Sequence, residues 1–437
     1  MLRDPTTLLL GCAALIVCAA LIASFVRWPV WGIGLYTAVQ LWQSQQSVRQ
    51  VPQSAGLDLR PTDVLTVCLL TAALILLRRN RGRRAPAELL ALLALTAYAL
   101  IRGFGLFGVQ TAGNEARTTF VQFLCVAFFV AVLPGRDLVR AVARIWVTAA
   151  CALSCLALLW WLRTGIGSSS DWITVDGVLT NARPVDAAQA LIISQAAVML
   201  LCGYGFVRAR ALAWPLLVVV VLVQHRTVWL ATGIMVMGWL LSRRRQVGSR
   251  AAALTVLGSL GVLGLLAVSW GAAKEATSTL AASSEDDRTL VWRMEGWQAL
   301  LRQLEGPPDW LLGLPFGSGY DRVVNGMLIT VSPHNHYLEV LLRLGLLGVA
   351  ALLLMYATAW RAVGADRDDR LLLRLLVCGH LIFMTTYALF PEQAVILGLL
   401  AACAQPRSAR RPYTPQESPC PTEPRSSPAS PARTARI

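Results

Sequence analysis

Residues 211–241 read ALAWPLLVVVVLVQHRTVWLATGIMVMGWLL. Two runs of aliphatic and aromatic side chains meet at four polar residues, Gln224, His225, Arg226 and Thr227, and Arg226 carries the only charge of the stretch. A segment this apolar, broken only at its middle, reads as two membrane helices joined by a tight turn.

Similar runs recur along the chain, at roughly 7–25, 27–42, 63–77, 86–103, 118–134, 141–162, 187–206, 251–271, 337–359, 371–388 and 390–404. With the two halves of 211–241 they predict an all-α integral membrane protein of about 12–13 transmembrane helices, with a large external loop before the last of them. Several runs are short for a 30 Å hydrocarbon core, so the first pair reads either as two spans or as one broken element. Composition agrees: 56% of the 437 residues are hydrophobic and 14% charged, with a mean hydropathy of +0.57. Soluble domains run near 45–50% and about 25%, which excludes an ordinary cytoplasmic enzyme.

The net charge of +15 rests almost wholly on arginine, Lys274 being the one lysine. Arginines gather in short turns at 78–84, 136–140, 208–210, 243–250 and 361–370, and all five can face the cytoplasm together. The charge therefore reports topology, and nucleic acid is not an expected partner. That orientation puts 43–62, 104–117, 163–186, the apex at 225–227 and the segment 272–336 outside. The membrane domain runs over 1–404, with 272–336 as its extracytoplasmic loop; the Pro-, Ser- and Arg-rich stretch 405–437 reads as a disordered cytoplasmic tail. The first apolar run lacks a convincing cleavage site and reads as a retained helix. Nine of the ten cysteines sit in or beside apolar runs with no C-x-x-C pair, so neither a disulfide framework nor a redox motif is expected.

Polar residues in unexpected places carry the chemistry. Arg226 lies at the external end of a span, against the charge bias, and reads either as a snorkelling turn residue or as an anion binder. Downstream, TLVWRMEGWQALLRQL at 289–304 makes an amphipathic helix, its apolar side built from Trp292, Met294, Trp297, Leu300 and Leu301, with Arg293 free to face the same aqueous pocket as Arg226. Two fixed guanidiniums suit a diphosphate, offering directional donors and offsetting charge that develops on a leaving group.

WLLGLPFGSGYDR at 310–322 contains a GxG, but without the preceding strand and the full glycine spacing it is not a dinucleotide motif. It reads as a turn folding the loop back across the external face. SPHNHYLEVLLRLGLLG at 332–348 then places His334, Asn335, His336 and Tyr337 at the start of an apolar helix. Asn335 is placed to cap that helix, Glu339 falls in its first turn, and His334 sits just outside, where a neutral imidazole can take a proton from a hydroxyl. His336 competes for that role. His-x-His alone lacks the further ligands of most zinc sites, so no metal is expected. Gly345 and Gly348 read as packing positions. His380 reads as a buried histidine hydrogen-bonded across helices, and Glu392, at the next external turn, is a candidate to line the cavity. The external residues Asp171, Asp176, Arg183, Asp186, Asp286, Asp287 and Arg288 are candidates for sugar hydroxyls or plain loop surface.

Four stretches together resemble one family: HRTVWLA at 225–231, RMEGW at 293–297, LLGLPFGSGY at 311–320 and PHNHYLEVLLRLGLLG at 333–348. They are similar to the bacterial O-antigen ligase and O-antigen polymerase superfamily, polytopic glycosyltransferases that use polyprenyl-diphosphate-linked glycans. The likeness is strongest over about 190–350 and concentrates in the H-N-x-Y-L element followed by an apolar span. It implies diphosphate contacts for Arg226 and Arg293 and an activating or positioning role for His334, with His225, Asn335, His336, Tyr337, Glu339 and Glu392 in support. One departure is His225, where serine is common before the arginine, leaving room for an altered hydrogen bond or a second basic group.

The activity so implied is metal-independent, inverting glycan transfer with no cofactor, at the external or periplasmic side of the cytoplasmic (inner) membrane. Its partners would be a lipid-linked donor, a glycan, lipid or protein hydroxyl as acceptor, the bilayer itself and polysaccharide-assembly machinery. Polymerase and ligase both satisfy the motifs. A secondary transporter or polysaccharide exporter is the alternative from another class; it fits the span count but not the long Trp-, Gly- and Arg-rich segment.

Overall fold

A computed structural model of the chain describes residues 5–46, 60–79, 85–165, 172–175, 178–181, 183–206, 210–243, 288–324, 326–361 and 367–405. The expected span at 251–271, the first part of the external segment, the tail, and Asp171, Asp176, Asp286 and Asp287 lie outside them.

The described chain is an all-α membrane protein with two small antiparallel hairpins. Its helices are α1 (Pro5–Arg27), α2 (Pro29–Gln46), α3 (Pro61–Arg79), α4 (Ala87–Ala116), α5 (Phe123–Ala131), α6 (Gly135–Thr164), α7 (Ala187–Leu201), α8 (Ala213–Leu222) and α9 (Arg226–Arg243). They continue with α10 (Arg288–Leu301), α11 (Pro307–Leu312), α12 (His336–Arg361), α13 (Arg367–Phe383) and α14 (Ala394–Ala404). The hairpins pair β1 (Trp172–Val175) with β2 (Val178–Asn181), and β3 (Arg322–Val324) with β4 (Met327–Ile329). Four described helical stretches are long and apolar enough to cross a membrane: Pro61–Arg79, Ala87–Ala131, Asp137–Thr164 and His336–Arg361. Shorter apolar helices occupy Gly11–Arg27, Ala187–Leu201, Arg210–Leu222, Arg226–Ser242 and Pro391–Ala404.

The first apolar pair resolves into two helices, α1 and α2, parted at Trp28. The stretch 104–117, expected as an external connector, is itself helical. A straight helix over the 45 residues of Ala87–Ala131 would be about 68 Å long, twice a bilayer core. The break comes at Gly108, whose backbone is non-helical, and a π-helical turn at Arg117–Gln122 follows it.

α5, α7 and the 394–402 part of α14 are buried on every side and, apart from Gln189, Ser194 and Gln195 of α7, apolar throughout. That is the pattern of helices enclosed by other helices rather than bordering water. α5 packs on α14, α7 on α6 and α8, and α9 on α13. Several polar side chains inside this core bond to one another across elements. Trp146 Nε1 donates to Gln195 Oε1 at 2.8 Å, and Gln195 Nε2 donates to Gln393 Oε1 at 2.9 Å. His380 Nε2 meets the same Gln393 oxygen at 2.9 Å, while its Nδ1 meets the Tyr356 hydroxyl at 3.0 Å. His380 is thus a buried histidine spent on cross-helix bonds, as its surroundings in the sequence suggested. Each such bond stabilises by roughly 0.6 kcal/mol, but an orphaned partner in hydrocarbon would cost more.

α12 is also two helices in one line. Gly345 has φ 66°, the left-handed region, and a Cβ there would run into the Leu311 carbonyl. Glycine is therefore required twice over, for its backbone and for the close approach of α11. Leu314 N–H reaches the Leu342 carbonyl at 2.6 Å beside this break. The 311–320 stretch does more than cross a face: it inserts between α4 and α12. Phe316 is fully buried, edge-on to Phe120 at 5.0 Å. Glu115 accepts from Gly317 N–H at 2.7 Å and Gly319 N–H at 3.2 Å, and pairs with the buried Arg343, which itself donates to Ser318 Oγ at 2.7 Å and to the Gly319 carbonyl. The GxG amides are thus committed to a carboxylate within the chain.

Candidate active site

The turn between α8 and α9 sets the site. Among the described residues only two non-glycines have positive φ, Gln224 at 61° and His334 at 52°. One precedes His225 and Arg226; the other is the candidate base. Left-handed backbone costs such residues about 1–3 kcal/mol and persists only where the surroundings hold it.

The surroundings at Gln224 are visible. From one side, Arg183 Nη2 donates to the Gln224 carbonyl at 3.4 Å, and His225 Nε2 lies 3.1 Å from the Val185 carbonyl. From the other side, the Thr227 and Thr386 hydroxyls share a hydrogen bond of 2.5 Å. Arg293 Nη1 donates to the Thr386 carbonyl at 3.4 Å, and its guanidinium carbon lies 5.6 Å from the centre of the Tyr387 ring. That ring also stands edge-on to His225 at 6.4 Å. Three segments distant in sequence, 183–185, 224–227 and 386–387, thus converge with α10. Arg226 is exposed at the start of α9, while Arg183 and Arg293 are half-buried.

His225 is 4% exposed. Burial first, and then the Arg183 charge, push its ring down to about 3, against the Val185 hydrogen bond. It stays neutral at ordinary pH, which removes the option of a second basic group beside Arg226.

His334 is held by its neighbours. Trp297 Nε1 donates to the Pro333 carbonyl at 2.7 Å, and Asn335 Oδ1 accepts from Leu338 N–H at 3.1 Å, capping α12. Burial, then Arg293, then Arg322 lower the His334 pKa from its ordinary value, with Glu339 acting in the opposite sense. The imidazole is thereby kept unprotonated, the form a proton acceptor needs. Arg322, itself 6% exposed, is fixed by bonds to the Tyr320 carbonyl at 2.9 Å and the Val331 carbonyl at 2.7 Å.

The other motif residues face inward. His336 is 2% exposed, its Nδ1 accepting from Leu389 N–H at 3.4 Å and lying 3.6 Å from Glu339 Oε2. The His336 backbone N–H donates to the Met384 carbonyl at 3.0 Å. The Tyr337 hydroxyl donates to the Leu381 carbonyl at 2.9 Å, and Glu339 Oε1 accepts from the Tyr320 hydroxyl at 3.3 Å. These contacts fasten the start of α12 to the end of α13 and to the 311–320 insertion. Glu392 is fully buried in the company of Asp186 and Tyr36. On α10, Leu300 and Trp297 join Tyr320, Leu338 and Leu342 in a small apolar cluster, whereas Met294 stays exposed.

Arg322, Thr386 and Tyr387 stand at these residues without having been singled out, and Arg183, a candidate for sugar hydroxyls or loop surface, lies instead against the Gln224 turn. For Tyr387 no signal existed, since an aromatic residue in an apolar run looks like core. The Gln224 carbonyl that receives Arg183 is a backbone group, invisible in a side-chain pattern.

Residues 211–353 match the family model described as O-antigen ligase. The match spans Arg226, Arg293 and His334, and supports the O-antigen ligase and polymerase superfamily, with glycan transfer of that general type in a multi-pass membrane protein. Arg183, Thr386 and Tyr387 lie outside the matched segment. No curated protein matches the chain.

Proposed function

We propose that this chain of O-antigen ligase type transfers a glycan from a polyprenyl-diphosphate donor to an acceptor hydroxyl at the external face of the cytoplasmic membrane. The reading is carried by one observation. Arg293 and the 224–227 turn bearing Arg226 are joined through Thr386 and Tyr387, with a neutral His334 within the electrostatic reach of Arg293.

In this mechanism the acceptor O–H gives its proton to His334 as its oxygen attacks the anomeric carbon. The bond from that carbon to the diphosphate oxygen breaks, and the electron pair leaves with the diphosphate. Arg226 and Arg293 stabilise the added negative charge, and in-line displacement inverts the anomeric centre. No metal takes part. The activated lipid supplies the driving force in a compartment without ATP, and His336, Tyr337 and Asn335 hold the start of α12 so that His334 is presented at a constant height.

Mass spectrometry of lipid-linked glycans tests this in cells carrying wild type, a deletion, or His334→Ala at matched expression. Build-up of a single-repeat donor with loss of long chains identifies a polymerase. Build-up of complete chains with loss of their final conjugate identifies a ligase acting on a lipid or protein acceptor. No change in donor or product in either mutant overturns the proposal.

A further inference from the structure

α1 and α3 touch where Cys68 Sγ donates to the Cys18 carbonyl at 3.9 Å. Beyond that contact an open groove of about 730 Å³ runs between them toward their C-terminal ends. Its α1 wall is one helical face, stepping i, i+3, i+4, i+7 and i+8 from Ala19 to Arg27, and its α3 wall is Thr71, Ile75 and Arg79 at i, i+4 and i+8. Both walls advance in the same sense, so Arg27 and Arg79 stand together at one end. The rest of the groove is aliphatic apart from Thr71, whose hydroxyl is spent on the Val67 carbonyl at 2.8 Å.

The aromatic residues beside Arg27 fix the depth of this end. Trp28 and Trp31, 58% and 55% exposed, stand at the turn from α1 to α2, and the Arg27 guanidinium carbon lies 5.1 Å from the centre of the Trp28 ring. Exposed tryptophans at a helix end mark the headgroup level of a bilayer. α3 ends at the same level in Arg78 and Arg79, which open the RRNRGRR run at 78–84. The charge bias assigns that run to the cytoplasm and the apex at 225–227 to the outside. Among the described residues neither Arg27 nor Arg79 is in an ion pair.

We infer that the groove between α1 and α3 binds one anionic phospholipid of the cytoplasmic leaflet, with its phosphate between Arg27 and Arg79 and an acyl chain laid past Ala23 and Ala19. Charge complementarity selects this occupant. Two guanidiniums without a protein counter-charge offer directional donors to a phosphate, and basic pockets between spans take anionic headgroups. A zwitterionic lipid brings a cation of its own to a mouth that already holds two. The volume lies within the roughly 300–1,000 Å³ of ligand sites, and the aliphatic walls suit a hydrocarbon chain rather than a soluble anion. This site is independent of the transferase reading.

The rival role for the two arginines is that of interface anchors, which complement the helix C-termini and reach the headgroup layer without a bound lipid. Anchoring needs the charges but not the groove, so filling the groove separates the two. The experiment is native mass spectrometry of the full-length protein from detergent, with dioleoyl phosphatidylglycerol and dioleoyl phosphatidylcholine as probes, alongside thermal unfolding with each lipid. Wild type is expected to retain phosphatidylglycerol in preference and to melt higher in its presence. Arg27→Gln and Arg79→Gln should each weaken that binding about fivefold, and the double variant about 25-fold. Ala23→Phe keeps every charge, fills the groove and should lose both the binding and the rise in melting temperature; Ala19→Phe, one turn away, serves if Ala23→Phe does not fold. Arg78→Gln, in the same turn but outside the groove, should bind as wild type does. Equal retention of the two lipids by wild type overturns the inference, as does unchanged phosphatidylglycerol binding in the double arginine variant. Wild-type binding in the groove-filling variant, or a loss in Arg78→Gln equal to that in Arg79→Gln, overturns it in favour of anchoring by surface charge.

Discussion

Thr227 and Thr386 meet hydroxyl to hydroxyl at 2.5 Å, across 159 residues of sequence. Thr227 is the neighbour of Arg226, and the carbonyl of Thr386 receives Arg293. One short bond therefore couples the positions of two arginines that belong to different elements. If this coupling sets the spacing of the pair, Thr227→Val and Thr386→Val should each cost about 1 kcal/mol in donor recognition, read as a several-fold rise in KM for the donor. The double variant should be no worse than either single one. Additive losses in that cycle would show that the two hydroxyls act separately.

His334 and His336 should part company on mutation. His334→Ala removes the proton acceptor and should lower the transfer rate by about 10²–10⁴-fold with the fold intact. His336→Ala leaves Leu389 N–H without its acceptor in a buried site, and should lower stability by about 1–3 kcal/mol while retaining much of the activity. Thermal unfolding and rate, measured side by side, check the separation; a His336→Ala protein that is stable and inactive would transfer the catalytic role to that residue.

Acid should switch the reaction off through His334. Its folded pKa lies below the ordinary value of about 6.5, so the active, neutral ring persists at pH 7 and is lost only as pH falls through that lowered value. The acid limb of kcat/KM is expected below pH 6.5. Among the charged neighbours, Arg293 contributes most to the depression, so Arg293→Gln should move that limb to higher pH as well as weaken donor use. His225, pushed down to about 3, adds no limb in the same range. A limb that stays in place in Arg293→Gln would break the link between the two residues.

The pair of Glu115 with Arg343 should matter for folding. Arg343 is fully buried and also holds Ser318 and the Gly319 carbonyl. Glu115→Ala leaves that guanidinium without its counter-charge and should destabilise by about 3–5 kcal/mol. Replacing both partners, Glu115→Ala with Arg343→Met, should recover part of the loss. Melting in detergent decides; equal stability of the single and double variants would mean the buried charge was never uncompensated.

Local chemistry was readable along the chain. Hydropathy places membrane helices because lipid demands an apolar side chain at nearly every position of a span, a requirement met residue by residue. The Asn335 cap is equally local, since its bond reaches only to Leu338. Arg226, Arg293 and His334 stood out because each is a polar residue where an apolar or neutral one is the norm. A break such as Gly345 was legible only as a small residue, because its backbone angle and the approach of Leu311 depend on another segment.

The sequence by itself therefore determined the all-α membrane class, the cap at the start of α12 and the residue types suited to an anion and a proton, but not the helical run through 104–117. Only tertiary structure decided which of them share a site. Glu392 looked outward by its place in a turn, yet it is buried with Asp186 and Tyr36. Arg183 and Tyr387 looked like a loop residue and a core aromatic, yet both stand against the 224–227 turn. The physical reason is range: helix formation and hydropathy depend on neighbours a few residues away, while a binding site is a sum of charges and hydrogen bonds between segments that meet only when the helices pack.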